Sequence, residues 1–197
     1  MANNAVEPGG PPGAGSLDAN SLPESVLEAQ SLAAQLIHLA TEAGLTIAAA
    51  ESCTSGLVAD LLASAPGASA VFWGSFVTYT LDAKTRMLGV DDALLRQYGA
   101  VSRETALAMA RCAREKSGAG AAVSVTGLAG PDGDGSVVPV GSVWIGLSIR
   151  GAAEEARLYH FAGSRNEVRH AAARQALRCL FQAAGKKTWG TATGVEN

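Results

Sequence analysis

Residues 45–62 restrict the fold more than any other stretch. The apolar run Leu45-Thr46-Ile47-Ala48-Ala49-Ala50 gives way to the polar hexapeptide Glu51-Ser52-Cys53-Thr54-Ser55-Gly56, and a helical pattern, Leu57-Val58-Ala59-Asp60-Leu61-Leu62, follows at once. A buried strand, a sharp turn and a helix in that order belong to α/β architectures. The same geometry leaves the first N–H groups of the helix without intrahelical partners. Ser52 therefore stands where a nucleophile would find donors for a developing oxyanion, at the 53–56 turn. The alternative is that Ser52, Thr54 or Ser55 simply caps the helix, as Ser and Thr often do.

The rest of the chain alternates in the same way. Glu24 to about Ala43 reads as a helix closed by Gly44, with Val26, Leu27, Leu32, Leu36, Ile37 and Leu39 apolar. Residues 70–80 mix aromatic and β-branched side chains and suit a strand. Asp82 is placed to cap a short helix from Ala83 to Leu88, and another short helix is expected at about 91–97. Ser102 opens a convincing helix to about Lys116, with Ala106, Leu107, Ala110 and Ala113 on its apolar face. Ala121 to Thr126 reads as a buried strand. Val137–Ser148 and Glu154–Phe161 read as a hairpin around Arg150-Gly151, and Asn166–Ala183 as a last helix. Strands interleaved with helices and one late hairpin predict a three-layer α/β sandwich, a mixed β-sheet flanked by helices.

A chain of 197 residues is long enough for one domain with a real core. We expect a disordered Pro/Gly-rich arm over residues 1–20, the domain over 21–184 and a frayed tail over 185–197. A net charge of −3 argues against a nucleic-acid partner or an anionic membrane surface. No run approaches a membrane span, and Met1-Ala2-Asn3-Asn4 lacks the features of a secretory signal. Three scattered cysteines, Cys53, Cys112 and Cys179, have no metal-type spacing and fit reduced thiols in a cytoplasm. No metal and no cofactor are expected. Small-residue helices and the Trp189 tail leave a homo-oligomer open.

Serine needs a base, and local sequence places neither His160 nor His170 well for that role. Lys84 is the better candidate. It falls in a first helical turn, where the dipole disfavours an ammonium, and partial burial would push its pKa the same way. Tyr79, at the exit of the preceding strand, could orient or relay the proton. Against this, most lysines at helix starts are solvated and most strand tyrosines are packing. The loop from Gly127 to Gly135 holds four glycines after a buried strand, which suits close approach to a ligand or, equally, a flexible connection. Arg165 and Arg169 flank the start of the last helix, where they suit a phosphate or form a solvated basic face.

Several segments together carry a family signature. They are Ala50-Glu51-Ser52-Cys53-Thr54-Ser55-Gly56-Leu57, Phe76-Val77-Thr78-Tyr79 with Ala83-Lys84, Gly99-Ala100-Val101-Ser102, Thr126-Gly127-Leu128-Ala129-Gly130-Pro131-Asp132-Gly133, Pro139-Val140-Gly141-Ser142-Val143-Trp144, and Phe161-Ala162-Gly163-Ser164-Arg165 with Val168-Arg169. In this order, over roughly residues 26–183, they resemble the C-terminal domain of the competence-damage-inducible CinA family, whose stand-alone members include nicotinamide-nucleotide amidases. The family often has Gly where Ser55 stands, so Ser55 adds a competing hydroxyl. The resemblance implies deamidation of nicotinamide mononucleotide to nicotinate mononucleotide and ammonia, in pyridine-nucleotide recycling. It implies Ser52 as nucleophile, Lys84 as its base and Tyr79 as an assisting group. Thr54, Gly56, Thr126, Gly127, Gly130, Arg165 and Arg169 would surround the substrate. Longer family members carry an N-terminal molybdopterin-binding-like pyrophosphatase domain, and no segment here corresponds to it. The rival expectation is a nucleotide-binding or scaffolding module of the same fold without turnover.

Overall fold

The computed structural model describes residues 24–133 and 135–185. The expected arm over 1–20 and the tail beyond Gly185 lie outside the described residues. Five strands form one mixed sheet in the order β2-β1-β3-β4-β5. β1 (Ile47–Glu51) lies parallel to both β2 (Phe72–Val77) and β3 (Ala121–Gly127). β4 (Ser142–Ile149) and β5 (Glu155–His160) continue it antiparallel, as the expected hairpin.

Period-two alternation sorts the sheet residues between two helical layers. Ile47 and Ala49 of β1 and Val123 and Val125 of β3 face one apolar cluster, completed by α1 (Glu24–Glu42), α2 (Leu57–Ala63) and α7 (Arg165–Gly185). Leu36, Ile37, Val58, Leu62, Leu177 and Leu180 fill it. Ala48, Ala50 and Ala122 face the other cluster, with Leu88, Val90, Leu95 and Met109. That second layer is built by α5 (Asp92–Tyr98) and α6 (Arg103–Ser117). The three-layer sandwich expected from the sequence is therefore present.

Alanines in the central strand let helices approach closely. A Cβ on Gly146 would stand 2.5 Å from the Ala106 carbonyl oxygen, and Ser124 Oγ donates to that same oxygen at 2.6 Å. At such spacing an added methyl group overpacks the layer, at a cost of about 1–3 kcal/mol.

Three element boundaries differ from expectation. Residues 68–71 form a short helix, α3 (Ala68–Val71), and β2 begins only at Phe72, where the chain first pairs with Ile47. The helix after β2, α4 (Leu81–Ala83), is capped not by Asp82 but by Thr80, whose Oγ1 accepts from Ala83 N at 3.1 Å. Asp82 instead pairs with Arg86 one turn on, at 2.9 Å. β4 starts at Ser142 rather than Val137, which is fully exposed; Pro139 lacks the N–H that a paired strand would use. Among the described residues no helix is long and apolar enough to cross a membrane.

Candidate active site

The carboxyl ends of β1, β2 and β3 open on the same side of the sheet, because these strands run parallel. Ligands of open α/β sheets bind at such ends. Ser52 follows β1 directly, its N–H donating to Val125 O at 2.9 Å. Thr78 and Tyr79 follow β2, and Thr126 and Gly127 close β3. α4 continues as a wider π-turn, Lys84–Leu88, of the kind often found at functional sites.

Lys84 reaches back from that turn. Its Nζ lies 2.8 Å from Ser52 Oγ and 2.8 Å from the Thr78 carbonyl oxygen. Lys84 is 1% exposed and Ser52 8%. Burial, which disfavours the ammonium, lowers the Lys84 pKa from 10.5 to about 8, against a smaller opposing effect of Cys53. Ser52 and Lys84 are thus brought together as a buried pair. Burial is the cause, where the sequence had suggested the helix dipole as well.

The donors around Ser52 are fewer than the turn suggested. Gly56 N and Val58 N donate to Glu51 Oε2 at 2.8 and 3.1 Å, and Ala59 N to Oε1 at 3.0 Å. Ser55 N donates to Ser52 O at 3.1 Å. Within the turn, the N–H groups of Cys53 and Thr54 have no acceptor on another residue among the described residues. The 53–56 turn therefore offers fewer unclaimed donors than expected, and Thr54, fully buried, presents none of its atoms at the surface, while Cys53 is 5% exposed. Gly56 is occupied by Glu51, and the Thr54 side chain is fully buried with its hydroxyl unpartnered.

Lys84 bonds Ser52 and not Ser55, the other serine of the turn. Ser55 is exposed, at φ 50°, the left-handed conformation that explains why glycine suits this position. The neighbouring thiol is also quiet: burial raises the Cys53 pKa from 9.0 to about 11, so the nucleophilic thiolate is suppressed.

Around this pair the remaining expected residues divide. Arg169 donates from Nε to Cys53 O at 3.1 Å and from Nη2 to Thr54 O at 3.2 Å, clamping the Ser52 turn from α7. Arg165 donates to Gly130 O at 2.6 Å and to the Tyr79 hydroxyl at 2.7 Å. Neither guanidinium has a carboxylate partner among the described residues. Tyr79 is 54% exposed and, among the described residues, makes no hydrogen bond to Ser52 or Lys84. Thr126 is turned to structural use, its Oγ1 donating to Ala100 O at 2.6 Å. Gly127 is required by packing: a Cβ there would lie 2.6 Å from Ser142 O. His38 lies 3.3 Å from Glu42 and His160 3.1 Å from Ser142 Oγ, and neither is bonded to Ser52 or Lys84 among the described residues.

Sequence reasoning missed two groups, the Glu51 carboxylate and the Thr78 carbonyl. A signal existed for the first, since an acid closing an otherwise apolar strand calls for partners.

The chain is similar to known proteins over most of its described length. The family model for the CinA C-terminal domain matches residues 29–184. A CinA-like protein of Geobacter metallireducens is 46% identical over 142 residues, 72% of this chain and 34% of that protein. A putative competence-damage inducible protein of Limosilactobacillus fermentum is 45% identical over 78% of this chain and 37% of its own length. The chain thus spans about a third of the curated relatives it matches. Among solved structures, the competence/damage inducible protein CihA from Agrobacterium tumefaciens superposes with a TM-score of 0.76 at 42% identity, covering 81% of this chain and 96% of that one. A CinA superfamily protein from Escherichia coli gives 0.77 at 33% identity, over 82% and 93%. With the fold and these likenesses together, the chain belongs to the CinA family, through its C-terminal domain.

Proposed function

We propose that this protein is a Ser/Lys amidohydrolase that converts nicotinamide mononucleotide and water to nicotinate mononucleotide and ammonia. The observation that carries the reading is the 2.8 Å contact between Ser52 Oγ and the buried Lys84 Nζ, whose pKa of about 8 leaves a useful neutral fraction near neutrality. A solvated lysine would have neither that contact nor that depression.

The chemistry runs in two halves. Ser52 Oγ bonds to the carboxamide carbon while its proton passes to Lys84, and the Cys53 N–H group receives the oxyanion. Collapse breaks the C–N bond, with the Lys84 proton going to the departing nitrogen to give ammonia. Water then attacks the acyl-serine with Lys84 again as base, releasing the carboxylate and restoring Ser52. Arg165 and Arg169, free of carboxylates, supply the cationic wall for a phosphate. Tyr79, held by Arg165, sits at the rim of that wall. The scheme draws on no metal and no cofactor, and a cytoplasmic place in pyridine-nucleotide recycling goes with it.

Incubating the purified protein with nicotinamide mononucleotide and measuring ammonia tests this. Release by the wild type and none by Ser52→Ala is expected, with free nicotinamide and glutamine much poorer substrates because they lack the phosphate. Absence of release across pH 6–9, with ligand-induced melting shifts retained, would favour the non-catalytic binding module instead.

A further inference from the structure

We infer that Glu51 is a positioning residue, which holds the Ser52–Gly56 turn so that Ser52 and the amide of Cys53 stay turned to the reacting group. The inference rests on the Ser/Lys reading above, but not on which amide is the substrate.

Glu51 is fully buried at the end of β1, and its carboxylate receives four donors: Gly56 N, Val58 N, Ala59 N and, from β2, Ser75 Oγ at 2.9 Å. All four are uncharged. Burying a carboxylate among neutral donors is costly, and an ordinary Ser or Thr cap would close a helix start for less. What Glu51 adds is reach. It precedes α2 by six positions and bridges the whole turn, including Ser55 in its strained left-handed conformation. By taking the donors at 56, 58 and 59 it also removes the start of α2 as an anion site. Any negative charge that develops near Ser52 is then left to the amide of Cys53.

Reaction of Ser52 with a fluorophosphonate reads this without the nucleotide. The serine oxygen bonds to phosphorus, fluoride leaves, the hydroxyl proton passes to Lys84, and the phosphoryl oxygen takes the oxyanion position. Intact mass should show the wild type labelled, Ser52→Ala unlabelled, and Glu51→Gln labelled about 100-fold more slowly, the scale of losing an oxyanion donor. Nucleotide turnover by Glu51→Gln should fall in kcat with KM moved less than about threefold. The pH midpoint of labelling should match the wild type. A displaced midpoint would assign Glu51 to the charge of the base and overturn the proposal, as would Glu51→Gln labelling within threefold of the wild type with its fold retained. Should Glu51→Gln not fold, Ser75→Ala decides, because it removes one donor and leaves the three turn amides bonded: labelling slowed threefold or more supports the proposal, and unchanged labelling overturns it. Ser52 labelling that depends on Glu51, without ammonia from the nucleotide, would reject the substrate and keep the positioning role. A wild type that takes no label rejects both.

Discussion

Two helices begin beside Ser52, and each start is closed by a glutamate, yet the two are opposite in character. At α2 the carboxylate of Glu51 is buried and absorbs the helix's own donors. At α7 the sequence Ser164-Arg165-Asn166-Glu167 forms a capping box on the surface, with Glu167 Oε2 accepting from Ser164 N and Ser164 Oγ at 2.7 Å each. These bonds hold the Glu167 carboxyl below the usual carboxylate range. The opposite side of the same start carries Arg165 and Arg169, both bonded only to neutral groups. A helix N-terminus is therefore not an anion site merely by being one. The start that has been satisfied from within shapes the Ser52 turn, and the start flanked by two guanidinium groups is the one that, on the proposed function, would hold the phosphate. If the proposed activity holds, this division predicts that the α2 side acts mainly on kcat and the α7 side mainly on KM.

The largest test of that division is the base. Lys84→Met should lower kcat by about 10³, within the usual range for a lost general base, and leave KM nearly unchanged. The wild-type rate should climb about tenfold per pH unit below pH 8 and level off above it, because only the neutral amine accepts the Ser52 proton. A profile that falls with rising pH would break the assignment. A smaller effect is expected from the arginines, read by steady-state kinetics. Arg165→Gln should raise KM about tenfold, the worth of one charge-assisted contact, with kcat held. Arg169→Gln should raise KM and lower kcat together, since Arg169 also grips the Cys53 and Thr54 carbonyls. Equal kinetic signatures for the two would blur the comparison. The smallest effect belongs to Glu167→Ala, which should lower the melting temperature by roughly 2 °C or less and leave both kinetic parameters in place.

How much was legible in the sequence depends on how far each partner lies along the chain. Ser52 and Lys84 could each be placed at the end of a strand or the start of a helix by local pattern. Their meeting, 32 positions apart, came from the family resemblance and the parallel strand order it brings. The caps at Ser102 and Gly44 were readable because a cap acts within one turn. Glu51 was not, because its donors lie five, seven and eight positions on and, through Ser75, 24 positions away on another strand. Thr126 misled for the reverse reason: its hydroxyl looks free in sequence, and a carbonyl 26 positions earlier claims it. Val137 and Val138 have strand propensity, but strand pairing begins only at Ser142.

The lysine's grip on the Thr78 carbonyl, six positions earlier, has a consequence for how this domain can vary. Each residue added to a helix rotates everything after it by about 100°. One insertion or deletion between the end of β2 and Lys84 would swing the amine out of its hollow, however well the rest of the chain folded. Length in this short connection is thus set as strictly as the identity of the amine itself.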